Sequence, residues 1–154
     1  LQTCIVPIVS FNHAYGSRTR CYETMRASTI FGLALMSIGV LCFELVPGPM
    51  LSVFTSDSNV LEIGIWGFRC IGWSFLPMVL SLTYPVYFEA IDKVLASSML
   101  TILRTVVLFV PLGYVLSRFS LEAFWFTFLI TEIITTLTGT VMYYREKRQP
   151  ARAG

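Results

Sequence analysis

The stretch SFLPMVLSLTYPVYFEAIDK occupies residues 74–93. It is apolar for most of its length, holds Pro77 and Pro85, and ends abruptly in Glu89, Asp92 and Lys93. Three readings suit such a segment: the buried helix of a soluble domain, a lipid-crossing helix, or part of a working site. The composition of the whole chain decides between the first two. Of 154 residues, 55% are hydrophobic and only 13% are charged, and the mean hydropathy is +0.72. A soluble domain carries about 25% charged residues. So few charges cannot clothe a wetted surface, and lipid is the natural solvent.

Four segments are long enough to cross hydrocarbon, which takes about 20 residues of helix. They are residues 27–46, 70–88, 95–117 and 123–144. Backbone groups find no water partners there, so these runs must be helices. The alternating segments of about 10 residues that build a transmembrane barrel are absent. Asp57, Ser58 and Asn59 are good N-caps, so the second full span is expected to start near Asn59 and reach Glu89, longer than the bilayer is thick. The opening LQTCIVPIVSF, residues 1–11, is too short to span and lacks the basic start of a signal peptide. It reads as the end of a truncated transmembrane helix. The expected order is then that helix end, a cytoplasmic turn over residues 12–26, a four-helix bundle over residues 27–144, and a basic tail over residues 145–154.

Charge gives the spans a direction. Arg18, Arg20, Arg26, Lys93, Arg145, Lys147, Arg148 and Arg152 fall on one side, against Arg69 and Arg118 on the other. Basic residues stay cytoplasmic. The expectation is a multi-pass cell-membrane protein with a cytoplasmic C-terminus. Trp66, Trp73, Trp125, Tyr143 and Tyr144 lie where interfacial aromatics are favoured.

No catalytic constellation is visible. The chain has no GxSxG, no HExxH and no glycine-rich phosphate loop, so it does not read as an enzyme. Its single histidine, His13, falls in the expected turn. Cys4, Cys21, Cys42 and Cys70 form no CxxC pair and read as small packing residues. A net charge of +2 makes no case for nucleic acid.

Ionisable groups at membrane depth are costly and therefore candidates. Counting at 1.5 Å per residue puts Glu132 about 15 Å from the outer edge and Arg104 about 14 Å from the inner edge. Their spans are antiparallel, so an ion pair is geometrically open. Glu132 reads either as half of a structural pair or as a proton- or substrate-linked group. Arg104 reads as its partner or as a snorkelling side chain. Glu44, near the outer end of its span, is expected to reach water. Pro77, Pro85 and Pro111 are expected to bend their helices, either lining a cavity or as tolerated kinks. Ser81 and Thr83 stand near Pro85, placed either to satisfy freed carbonyls or to face a polar cavity.

The order of these features resembles the multidrug and toxic compound extrusion (MATE) transporters. PIVSFNHAYGSRTRCYETMR, residues 7–26, is similar to the family's proline-ended helix followed by a YNYGA…R turn, with Pro7, Asn12 and Arg20 matching. Residues 51–116 resemble the LFTSD start, the SFP region, the YFQAIGK exit and the LLR…PL.Y.L helix. EAFWFTFLITEIITTL, residues 122–137, is similar to the last helix. The resemblance implies an all-α, integral membrane fold: four full transmembrane helices plus the end of a preceding one, part of a twelve-helix, two-lobe transporter. It implies export of cationic or amphipathic drugs or metabolites in exchange for Na+ or H+, with the N-terminal lobe as partner. No other cofactor or metal is implied.

The departures from the family also bear on function. Members that bind a cation in this lobe place a carboxylate in the tenth helix, and residues 71–88 hold none. Coupling carboxylates of other members lie in the N-terminal lobe. Four helices make one wall of a central cavity, so the segment alone is not expected to transport. Two alternatives stay open at this point: a non-transport four-helix scaffold or assembly subunit, and a lipid-linked oligosaccharide flippase. The flippase reading wants a more cationic cavity than Arg104 provides.

Overall fold

The computed structural model describes residues 2–148, and among them every regular element is helical. Leu1 and the tail beyond Arg148, Arg152 included, lie outside the described residues. The elements are α1 (Gln2–Ala14), α2 (Arg18–Leu45), α3 (Pro47–Ser52), α4 (Ser58–Ala90), α5 (Val94–Ile102), a π-helical segment (Leu103–Phe109), α6 (Val110–Ser117) and α7 (Leu121–Arg148). α5, the π segment and α6 run as one rod, Val94–Ser117. Among the described residues, four helices are long and apolar enough to cross a membrane.

Hydropathy located the spans but not the helix ends. α2 begins at Arg18 and α1 continues to Ala14. The expected turn over residues 12–26 therefore shrinks to residues 15–17, and His13 belongs to α1. Arginine is a good helix former, so leaving the hydrocarbon does not end a helix. For the same reason α7 carries Arg145, Lys147 and Arg148 in its last turn rather than shedding them as a tail. α3, a single prolyl turn packed beside α4, had no hydropathy signal of its own.

Two turns at this basic end share one geometry. Ser17 N donates to Asn12 O and Gly16 N to His13 O, each at 2.9 Å, with Gly16 at φ 70°. Lys93 N donates to Phe88 O at 2.8 Å and Asp92 N to Glu89 O at 3.1 Å, with Asp92 at φ 59°. Both are Schellman closures, which need a left-handed residue just past the helix. Asp92 thus occupies a position that glycine fills without strain. At the other end, Asp57 caps α4: its side chain accepts from Asn59 N at 2.9 Å.

α4 is the hub. Its 33 residues span about 50 Å, and α1, α2, α3, α5 and α7 all pack on it, α7 most extensively. α7 carries a stripe of small residues four apart, Thr127, Thr131, Thr135 and Gly139, all buried; Gly139 meets Tyr84 of α4, and Thr127 lies against Gly113 of α6. In lipid no hydrophobic force pulls helices together, so small residues that allow close approach carry the packing. At Gly139 the approach is extreme. A Cβ there would sit 2.4 Å from Tyr84 Cδ2 and 3.2 Å from Tyr84 Cβ. At Gly67 it would meet the Trp125 ring at 2.6 Å. Against α2 the same device recurs, with Gly32 facing Val79.

Polar side chains are buried and large apolar ones exposed to a degree that a soluble fold does not show. Ser74, Ser81, Thr83, Thr127, Thr131, Glu132 and Thr135 are buried, while Ile30, Phe31, Leu35, Ile38, Leu41, Val106, Val110 and Leu137 are exposed. The apolar exterior suits acyl chains. A conventional apolar core forms only at the basic end, where Val9, Met25, Tyr87, Phe88 and Leu100 meet.

Because the stem of Tyr84 cannot swing away as a flexible tip can, Gly139→Ala is expected to destabilise the protein by about 1–3 kcal/mol through overpacking. Gly48→Ala, whose Cβ would find only Ile65 at 3.8 Å, is expected to stay within about 0.5 kcal/mol. Thermal melting of the detergent-purified chain distinguishes the two.

Candidate functional site

Glu132 stands on the face of α7 that meets α4, near the middle of its span, and is 5% exposed. Eleven residues separate it from the start of α7 at Leu121, about 16 Å along the axis. Its Oε1 accepts from Arg104 Nε at 2.9 Å and from Arg104 Nη2 at 2.5 Å. Its Oε2 accepts from the Ser81 hydroxyl of α4, which is 1% exposed. One carboxylate thereby joins three of the four long helices: α4 through Ser81, α7 through itself, and the α5–α6 rod through Arg104. The Ser81 hydroxyl has one proton and a second acceptor in reach, Met78 O at 3.1 Å. It therefore has two orientations available, one facing the carboxylate.

The backbone that presents Arg104 is unusual. Residues Leu103–Phe109 are wound as a π-helix, and Pro111 follows in the first turn of α6. Proline offers no N–H to the carbonyl four residues back and crowds it. A locally wider winding is one way to take up that defect, and such segments often mark functional sites. Pro111 thus alters the winding of its rod, where sequence had suggested a simple bend. Its presence in mid-span was the one available hint of the π segment.

α4 runs through Pro77 and Pro85 without interruption. The carbonyl of Pro77 accepts from Thr136 of α7 at 2.8 Å. Ser81 and Thr83 do not repair the ladder around Pro85, the first of the two roles open to them. Thr83 donates to Val79 O at 2.5 Å, and Ser81 serves Glu132 or Met78. The hydroxyls sit N-terminal to Pro85, and their short reach brings them to the carbonyls three or four residues earlier. Higher along the same seam, the Tyr84 hydroxyl meets Thr140 Oγ1 at 2.9 Å. The α4–α7 contact is therefore a row of side-chain hydrogen bonds flanking the ion pair.

A cavity of about 230 Å³ adjoins the pair, lined by Arg104, Thr105, Phe109, Phe128, Thr131 and Glu132. Thr131 is 2% exposed and its hydroxyl has no hydrogen-bond partner. Pro77, Pro85 and Pro111 do not line this cavity. Among the described residues no cluster of three metal-ligating side chains occurs.

Glu44 reaches a different partner set. It accepts from Trp73 Nε1 at 2.8 Å and lies 3.5 Å from Arg69 Nε, with its side chain 31% exposed. It forms a partly wetted cluster at the end away from the basic turns. At the basic end, Lys93 pairs with Glu146 and so ties the α4–α5 turn to the end of α7. Charge placement puts Lys93 and the residues after Tyr144 on one side of the membrane but does not pair them.

Long helices with an apolar exterior, a polar internal seam and an ion pair at depth define a polytopic membrane protein. The chain belongs to the MatE family, whose model matches residues 1–115. This bears out the resemblance read from the sequence, and members of the family are transporters rather than enzymes. No curated protein and no solved structure matches the chain. The matched segment contains Ser81 and Arg104. Glu132 lies beyond it, on α7, and joins the site through packing.

Truncating one member of a buried pair strands the other charge, at a cost of about 3–5 kcal/mol. Glu132→Ala is expected to lower stability by more than Arg104→Ala adds on top of it. A double-mutant cycle by thermal or denaturant unfolding should return a coupling on the order of 1 kcal/mol or more. Additive losses would mean that the two groups do not pair in the membrane.

Proposed function

We propose that the chain is most of the C-terminal lobe of a twelve-helix MATE-type antiporter. On this reading α1 is the end of the eighth helix, and α2, α4, the α5–α6 rod and α7 are helices nine to twelve. The basic end faces the cytoplasm, with the C-terminus there. The complete transporter exports cationic or amphipathic compounds by alternating access, driven by inward Na+ or H+. Family membership supports the transporter class. The buried Glu132, shared between Arg104 and Ser81, carries the rest of the proposal.

Glu132 suits a proton-linked step better than a Na+ site. Its first oxygen is already engaged by a guanidinium, which repels a second cation. Addition of a proton to the carboxylate would neutralise it and weaken both Arg104 contacts. The Ser81 proton could then turn to Met78 O, 3.1 Å away. Protonation would thereby loosen α7 from α4 and from the π segment together. Such a group biases a two-state helix contact, which is the physical requirement for coupling. Pro111, through the winding that presents Arg104, belongs to the same device, and Pro77 and Pro85 are assigned the shape of the α4 wall.

The test uses the full transporter containing this chain. Glu132→Gln, an isosteric stand-in for the protonated acid, is expected to reduce ethidium export to background at unchanged membrane expression. Wild-type export should follow an imposed pH step and ignore a Na+ gradient. Normal export by Glu132→Gln would remove Glu132 from the mechanism, and export driven by Na+ alone would assign the other ion.

A further inference from the structure

A cleft at the basic end is separate from the Glu132 site. It encloses about 550 Å³ between α2, α4 and α7. Its charged lining is Arg26, Lys147 and Glu23, with Tyr22 and Tyr144 beside them. Ile30 and Leu80 give it an apolar wall. Arg26 is exposed and makes no ion pair or hydrogen bond among the described residues. The Lys147 ammonium lies 5.0 Å from the centre of the Tyr22 ring, held by the aromatic face and by no carboxylate.

We propose that this cleft binds the phosphate headgroup of an anionic phospholipid. Two cations against one carboxylate leave a single net positive charge, which matches a phosphodiester monoanion. The vertical order also fits. Arg26 stands eight residues into α2, about 12 Å from its start, and Ile30 is one turn deeper. A phosphate held by Arg26 and Lys147 would direct its acyl chains past Ile30 onto Phe31 and Leu35, which are exposed. That continuity favours a lipid over a free anion, which would have no use for an apolar wall. Tyrosine suits such a boundary because its ring is apolar and its hydroxyl is wet. Basic pockets between helices at the positively charged face of a membrane protein are where anionic headgroups are recognised.

A bound lipid would bridge α2 to α7, the two helices joined at this end through Tyr22 and Tyr143, whose ring centres are 5.9 Å apart. The proposal rests on membrane embedding and does not depend on the transport reading.

The experiment measures the melting midpoint of the full chain in detergent against added dioleoyl-phosphatidylglycerol, dioleoyl-phosphatidylcholine or inorganic phosphate. Phosphatidylglycerol is expected to raise the midpoint, and the other two to leave it unchanged. Arg26→Gln and Lys147→Gln should each weaken the apparent affinity about fivefold, and together about 25-fold. Arg118→Gln, at the opposite end, should not change it. An equal effect of phosphatidylcholine, a full effect of phosphate alone, or unchanged affinity in the double variant would overturn the proposal. A photoreactive phosphatidylglycerol on the wild-type chain covers the case of a variant that does not fold. Label is expected on residues 19–30 and 143–148. Label at the Arg69 and Arg118 end, or spread evenly, would also overturn it.

Discussion

A carboxylate near the middle of a bilayer costs several kcal/mol unless the protein itself matches its charge. Glu132 meets that requirement with a guanidinium on one oxygen and a hydroxyl on the other. Each partner comes from a different helix. The demand for neutralisation therefore fixes more than a local contact. It sets the depth of the α5–α6 rod against α7, because Arg104 must lie level with Glu132. It also sets the rotation of α4, because Ser81 must face inward. The hydrogen bonds from Thr136 to Pro77 O and between Tyr84 and Thr140 then continue the same seam towards the basic end.

Close approach is the second condition on which the seam depends. Short hydroxyls bridge two helices only when their axes are near. Gly139 under Tyr84 and Gly67 under Trp125 provide that nearness at two places along α4 and α7. Small threonines keep α7 narrow towards the α5–α6 rod, where Thr127 lies against Gly113 and Thr131 lines the cavity beside Arg104. The cost is that Thr127, Thr131 and Thr135 lack hydrogen-bond partners while buried. A bulkier apolar stripe would avoid these orphan hydroxyls but would push the carboxylate away from its partners. The polar seam is thus a compromise between packing and charge, of the kind expected where a helix contact has to change.

Much of this was legible in the sequence. Span number follows from apolar run length, and the level match of Arg104 and Glu132 follows from counting rises along antiparallel helices. Asp57, Ser58 and Asn59 gave the start of α4 to within a residue. Family membership was legible from the order of short motifs over residues 7–137. What escaped has physical reasons. Hydropathy reports the lipid-facing length of a helix and is silent on its polar ends, so α2 and α7 came out too short. Nothing in composition sets the rotation of α4 about its axis, so the sequence leaves Ser81 either repairing Pro85 or facing a polar cavity and does not single it out as a ligand of Glu132. The four-residue period of Thr127, Thr131, Thr135 and Gly139 was present in the sequence and marks a buried face of α7. The π winding before Pro111 depends on how a proline defect is shared along the rod, and residue types alone do not specify that.

The packing of α7 on α4 is what every functional statement rests on, and one cross-link probes it directly. The Cβ position at Gly139 lies 3.2 Å from Tyr84 Cβ, close to the spacing of about 3.5–4.5 Å that a disulfide adopts. In a full chain freed of its native cysteines, Tyr84→Cys with Gly139→Cys should oxidise readily in native membranes. Cleavage between α4 and α7 should then leave the halves joined until reduced. Tyr84→Cys with Leu137→Cys, the latter on the exposed side of α7, should not join. No link in the first pair, or equal linking in both, would contradict the α4–α7 seam and with it the placement of Glu132.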